Sequence, residues 1–65
     1  MTVLVTAGTE IRDDDGALVA TVARDLHAGA FLEPADIRLA DGAMLARGER
    51  VPVDVWRYLV RVGAL

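Results

Sequence analysis

Asp13-Asp14-Asp15-Gly16 is the densest run of ionisable side chains in the sequence. Three adjacent carboxylates can ligate a hard cation or meet an arginine- or lysine-rich surface. A calcium loop of the EF-hand type, with Gly16 at its sixth position, needs an acid where Ile11 stands, so that spacing fails. The run is expected to be an acidic hairpin tip, either solvated or set against a basic groove. Glu10, Glu33, Asp36 and Asp41 are its supporting charges. His27 is the only histidine and there is no cysteine, so no metal set and no cofactor site is expected. Nucleophiles are scarce. Serine, cysteine and lysine are absent, and Thr2, Thr6, Thr9 and Thr21 have no base placed beside them by sequence. Without lysine there is neither a phosphate-loop motif nor a Schiff base. These absences point to binding and away from catalysis.

Arg57 and Arg61 stand one helical turn apart. Such a pair can grip a phosphate or carboxylate, or form a solvated helix face. Trp56 and Tyr58 are the aromatics beside them. Aromatic side chains are common at binding hot spots. Helical spacing nevertheless expects Trp56 in the core, and leaves Tyr58 at the edge of the polar face.

The elements that position these residues are short. Val3-Leu4-Val5 reads as a strand, and Thr9 to Arg12 as a second extended piece. Asp15-Gly16 marks a hairpin turn, because glycine accepts positive φ. Ala17 to Ala23 follows with both faces largely apolar, which predicts a central strand. Arg24 to Ala30 reads as a turn region pivoting at Gly29, and Phe31-Leu32 as extended. Glu33-Pro34-Ala35-Asp36 is a single turn with proline at its favoured start. Ile37 to Ala40 is another strand, turned by Asp41-Gly42 and returning over Ala43 to Ala46. The clearest element is a helix from Pro52 to Val62 closed by Gly63. Asp54 suits its first turn and pairs at i,i+3 with Arg57. Docked on the sheet, it is expected to bury Trp56 and Leu59. Gly29 to Ile37 also echoes Gly48 to Val55: a glycine, an aliphatic, then Pro-x-Asp-aliphatic. The fold class is α+β: a small antiparallel sheet of short strands with one C-terminal helix packed on it.

The 65 residues leave room for one domain, 1–65, and one core. A chain this short buries only about 60% of its unfolded surface. A hydrophobic fraction of 54% compensates, and a shared interface can use part of it. Ten acids against seven arginines give a net charge of −3. Nucleic-acid binders normally carry a basic stripe that releases counterions, and no basic run is present. Direct nucleic-acid binding is therefore disfavoured, while an acidic surface meeting a basic protein is compatible. No stretch is apolar for the roughly 18 residues that a membrane span needs. Met1 to Thr6 lacks the basic flank and cleavage site of a signal peptide, which places the chain in the cytoplasm of a bacterial host cell as an expectation.

Val22-Ala23-Arg24-Asp25-Leu26-His27-Ala28-Gly29-Ala30-Phe31-Leu32-Glu33-Pro34-Ala35-Asp36-Ile37, with the later Gly48-Glu49, resembles the central segment of the SAF domain. The resemblance implies a β-rich, clip-like fold that binds sugars or serves assembly. The whole-chain profile of small size, acidity and the acidic turn at Asp13 to Asp15 is similar to a second group, the anti-CRISPR proteins of phages and mobile elements. It most resembles their small type I inhibitors, type I-C ones among them. That resemblance implies binding to a Cascade-type surveillance complex and blocking of its DNA access.

Two functions are expected from these readings. One is an inhibitor that occupies the basic nucleic-acid-binding surface of a larger protein complex, Cas proteins being the suspected partner. Asp13, Asp14 and Asp15 would be its contacts, and Glu10, Glu33, Asp36 and Asp41 its support, acting as a DNA mimic. The other is a SAF-like structural or assembly module, such as a small virion component, binding through strand edges and apolar surface. A monomer or small homodimer is expected, with no membrane partner.

Overall fold

The computed structural model describes residues 2–29, 31–45 and 50–65. Five strands, one 3-10 turn and one α-helix follow in order: β1 (Val3–Val5), β2 (Glu10–Arg12), β3 (Leu18–Val22), β4 (Leu26–His27), the turn Pro34–Asp36, β5 (Ile37–Leu39) and α1 (Val53–Arg61). The fold is α+β, with small antiparallel sheets and one C-terminal helix.

β3 is the central strand of the larger sheet, in the order β2-β3-β5. Its apolar character on both faces has this cause. Ala20 lies between Ile11 on one neighbour and Leu39 on the other, and Val22 pairs with Ile37. The small side chain of Ala20 lets both neighbours close over it, and it is fully buried. The β2–β3 hairpin turns at Asp13 to Ala17. The Gly16 amide donates to the Asp13 carbonyl at 3.0 Å, and Gly16 takes φ +83°. A side chain at that φ is strained, which is why glycine stands there.

The sequence reading missed β4. Leu26 and His27 pair with Val5 and Val3 of β1, making a separate two-stranded sheet. A two-residue strand carries no detectable alternation, and only the arrival of β1 creates it. The return from Asp41-Gly42 runs beside β5 over Ala43 to Leu45, where the Leu39 amide donates to the Ala43 carbonyl. Met44 bridges Arg38, and the Leu45 amide donates to the Ile37 carbonyl. Ala46 lies outside the described residues, as do Ala30 of the turn region and Gly48-Glu49 of the internal echo.

Pro52 is the N-cap of α1 and not its first helical residue. The helix ends in a paired glycine cap. Gly63, at φ +86°, donates to the Val60 carbonyl, and Ala64 donates to Leu59 at 2.9 Å. This is a Schellman arrangement, with buried Ala64 five residues beyond its acceptor. α1 packs on β2 and β3 and buries Val55 and Leu59. They join Val5, Ile11, Ala20, Val22, Leu26, Ile37, Leu45 and Ala64 in one core.

Trp56 is a correction to the sequence reading. It is 53% exposed. The apolar residues of α1 span more of its circumference than one small sheet can cover. Successive residues are about 100° apart on a helix. Burying Val55 and Leu59, with Tyr58 and Val62 at the margin, turns Val53, Trp56 and Val60 outward.

Candidate functional site

Three surfaces meet the requirement of a site: the hairpin tip with its adjoining cleft, a groove beside the 3-10 turn, and the outer stripe of α1.

At the hairpin tip, the three aspartates have different roles. Asp13 is partly buried, and its Oδ1 accepts the amides of Asp15 and Ala17, each at 2.9 Å. Its carboxylate is the internal brace of the turn. Asp14 and Asp15 are exposed. Asp14 also lines a small polar cleft of about 110 Å³ with Arg12, Asp54, Arg57, Tyr58 and Arg61. The basic pair on α1 therefore faces the acidic tip across the cleft, which moderates the tip's negative field. Arg12 is held by the Gly16 carbonyl at 2.9 Å and by Glu10 at 3.0 Å. Two ion pairs occur among the described residues, Arg12–Glu10 and Arg24–Asp36. The expected Asp54–Arg57 pair is not among them.

The supporting charges are mostly engaged inside the fold. Asp36 is only 4% exposed. Its carboxylate accepts the Arg24 Nε–H and, at 2.8 Å, the Glu33 amide. Among the expected contacts Asp36 is the buried one, a bracket between the turn and the strand end. The hydrogen bond raises the Arg24 pKa above its ordinary value, so the guanidinium stays charged. Asp41 accepts the Ala43 amide at 2.9 Å and shapes its own turn. Glu10 is tied to Arg12. Glu10, Asp14, Asp15, Glu33 and Asp41 are the exposed acids of the set.

Sequence reasoning missed Arg24 and Asp25. Arg24 also donates to the Phe31 carbonyl at 3.0 Å, and Asp25 Oδ1 accepts the Ala7 amide at 2.7 Å. Arg24 knits the segment from Val22 to Ile37, and Asp25 ties that segment to Ala7. The one legible signal was Asp36 placed three residues after Glu33 across a Pro-initiated turn, a spacing that lets a side chain reach back. His27 is half-buried on β4, with Nδ1 3.2 Å from the Thr2 carbonyl oxygen. No group of three or more His, Asp or Glu residues placed to hold a metal occurs among the described residues. No helix described there is long and apolar enough to cross a membrane.

The groove has a volume of about 700 Å³ and is lined by Phe31, Leu32, Glu33, Pro34, Ala35, Met44 and Leu45. Arg24 fixes its wall by holding the Phe31 carbonyl and, through Asp36, the Glu33 amide. The Phe31 side chain is 84% exposed and Met44 is also exposed. Large apolar side chains in that position leave water only when something covers them.

Comparison of the chain with protein-family models, with curated proteins and with solved structures finds no match in any of the three.

Proposed function

We propose that this chain is a non-enzymatic protein-interaction module of the assembly type, SAF-like in its central segment, that seats an apolar element of a partner in the groove beside the Pro34–Asp36 turn. The observation that carries this reading is Phe31, left in solvent at the mouth of an apolar groove whose wall is braced from behind by Arg24 and Asp36. A braced wall loses little freedom on binding, which favours association. Met44 suits such a surface, because its flexible thioether adapts to varied partners. A photo-crosslinking side chain at position 31, in the producing cell, tests it. Defined adducts with particle proteins or with the chain itself are expected. An adduct pattern no different from that of the same crosslinker at exposed Thr2 sinks the reading.

A second reading is supported by Asp14 and Asp15. Both are exposed at the hairpin tip, and neither is in an ion pair among the described residues. It is the anti-CRISPR reading: an acidic mimic of DNA that occupies the basic surface of a Cascade-type complex. Target-DNA binding by a purified complex, with and without the protein, checks it. Inhibition that weakens with salt and with Asp14→Ala plus Asp15→Ala is expected. DNA binding that the protein leaves unchanged excludes this mechanism.

A further inference from the structure

The outer stripe of α1 has no role in the core or in the groove. Val53, Trp56 and Val60 lie at i, i+3 and i+7 and are all exposed. Arg57 borders the stripe on one side, and Arg61 lies further round the helix with Asp54, in the polar cleft. The groove, conversely, is apolar with Glu33 in its lining. The stripe and the groove share no residue. One chain therefore carries an apolar ridge with an arginine on one flank and an apolar groove with an acidic member.

We propose that the α1 stripe of one copy seats in the groove of a second copy, with Trp56 entering beside Phe31 and Met44. This inference rests on the groove being a protein-binding surface and names its occupant. Charge complementarity selects this pairing. Placed stripe against stripe in an antiparallel pair, Arg57, next to Trp56 at the middle of the helix, would face its own counterpart, and like charges at that distance repel. Placed in the groove, Arg57 approaches Glu33. Size agrees as well. A tryptophan side chain buries about 150–250 Å² on an interface, and a groove of about 700 Å³ accommodates it. The stripe alone is smaller than the roughly 800 Å² per partner of a stable interface. A single contact is therefore weak. Each copy carries both surfaces, so two copies can close two contacts about a two-fold axis, and the dissociation constant falls in about the micromolar to millimolar range.

Light scattering and sedimentation on the wild-type chain, from about 10 μM to about 1 mM, measure the assembly over that range. Trp56, the only tryptophan, reports it by fluorescence. The expected result is a mass rising above the 6.9 kDa of one chain, with Trp56 emission moving to the blue. Trp56→Glu and Met44→Glu should each raise the dissociation constant by about 30-fold or more. Both positions are exposed, and circular dichroism verifies that both variants fold. The deciding step mixes the two variants. Each retains the surface the other has lost, so the mixture regains one of the two contacts and should associate more weakly than wild type but more tightly than either variant alone. Wild-type mass that stays at one chain through the whole range overturns the proposal. Association that survives Met44→Glu but not Trp56→Glu also overturns it, because the stripe would then be meeting itself. Crosslinks from position 31 to another protein, without self-association, would retain the groove as an interface and reject a second copy as its occupant.

Discussion

Replacing Asp36 by alanine should cost the chain stability and leave partner contacts without direct effect. The carboxylate has two bonds to lose. One, from the Glu33 amide at 2.8 Å, is charge-assisted and sheltered, since Asp36 is buried. Bonds of that kind contribute about 1.5–3 kcal/mol. The other is to Arg24, whose side chain is about half exposed, so solvent screening makes its share the smaller of the two. The sheltered bond therefore sets the loss at about 1.5–3 kcal/mol. Domains of this length have roughly 3–10 kcal/mol in total, so the loss is a large fraction. It corresponds to a fall in Tm of roughly 10–20 °C. Asp36→Asn retains an acceptor and loses the charge, and should fall about midway. Urea and thermal unfolding of the three proteins measure this. Arg24 has a raised pKa in the folded chain, so its share of stability is present below its ordinary pKa and is lost only as pH rises beyond it. The Arg24 contribution to the difference between wild type and Asp36→Ala should thus be flat through neutral pH. An Asp36→Ala protein within about 0.5 kcal/mol of wild type would refute the bracket.

The aspartates of the hairpin tip should separate by role. Asp13→Ala removes the acceptor of two backbone amides and should destabilise by about 1–2 kcal/mol, whereas Asp14→Ala and Asp15→Ala should stay within about 0.5 kcal/mol, all by denaturant titration. The two large apolar residues of α1 should separate in the same way. Leu59→Ala opens the core and should cost about 2–5 kcal/mol, while Trp56→Ala on the exposed side should change monomer stability by less than about 1 kcal/mol. Gly63→Val forces a β-branched residue to φ +86° in the helix cap. It should lower stability by about 1–3 kcal/mol, seen as a lower Tm and faster amide exchange at Ala64.

Much of the architecture was legible before any coordinates. Asp15-Gly16 and Asp41-Gly42 marked turns because few residues accept positive φ. Ala17 to Ala23 announced a central strand because both of its faces are apolar, and β3 does have a neighbour on each side. Pro52 and Gly63 bracketed the helix because one cannot donate a backbone hydrogen bond and the other can turn left-handed. These are local properties, carried by single residues or short patterns. Tertiary structure decided the rest. The sequence offers α1 more apolar surface than one face can bury, and only the docking on β2 and β3 selected Val55 and Leu59 over Trp56 and Val60. Likewise, nothing in a row of ten acids distinguishes a brace from a contact. Asp36 became a buried bracket because Arg24 and the Glu33 amide converge on it, and Asp14 remained in solvent because its neighbour Asp13 already holds the turn. Burial and partnership depend on which distant segments meet, and a carboxylate's neighbours in the sequence do not specify that.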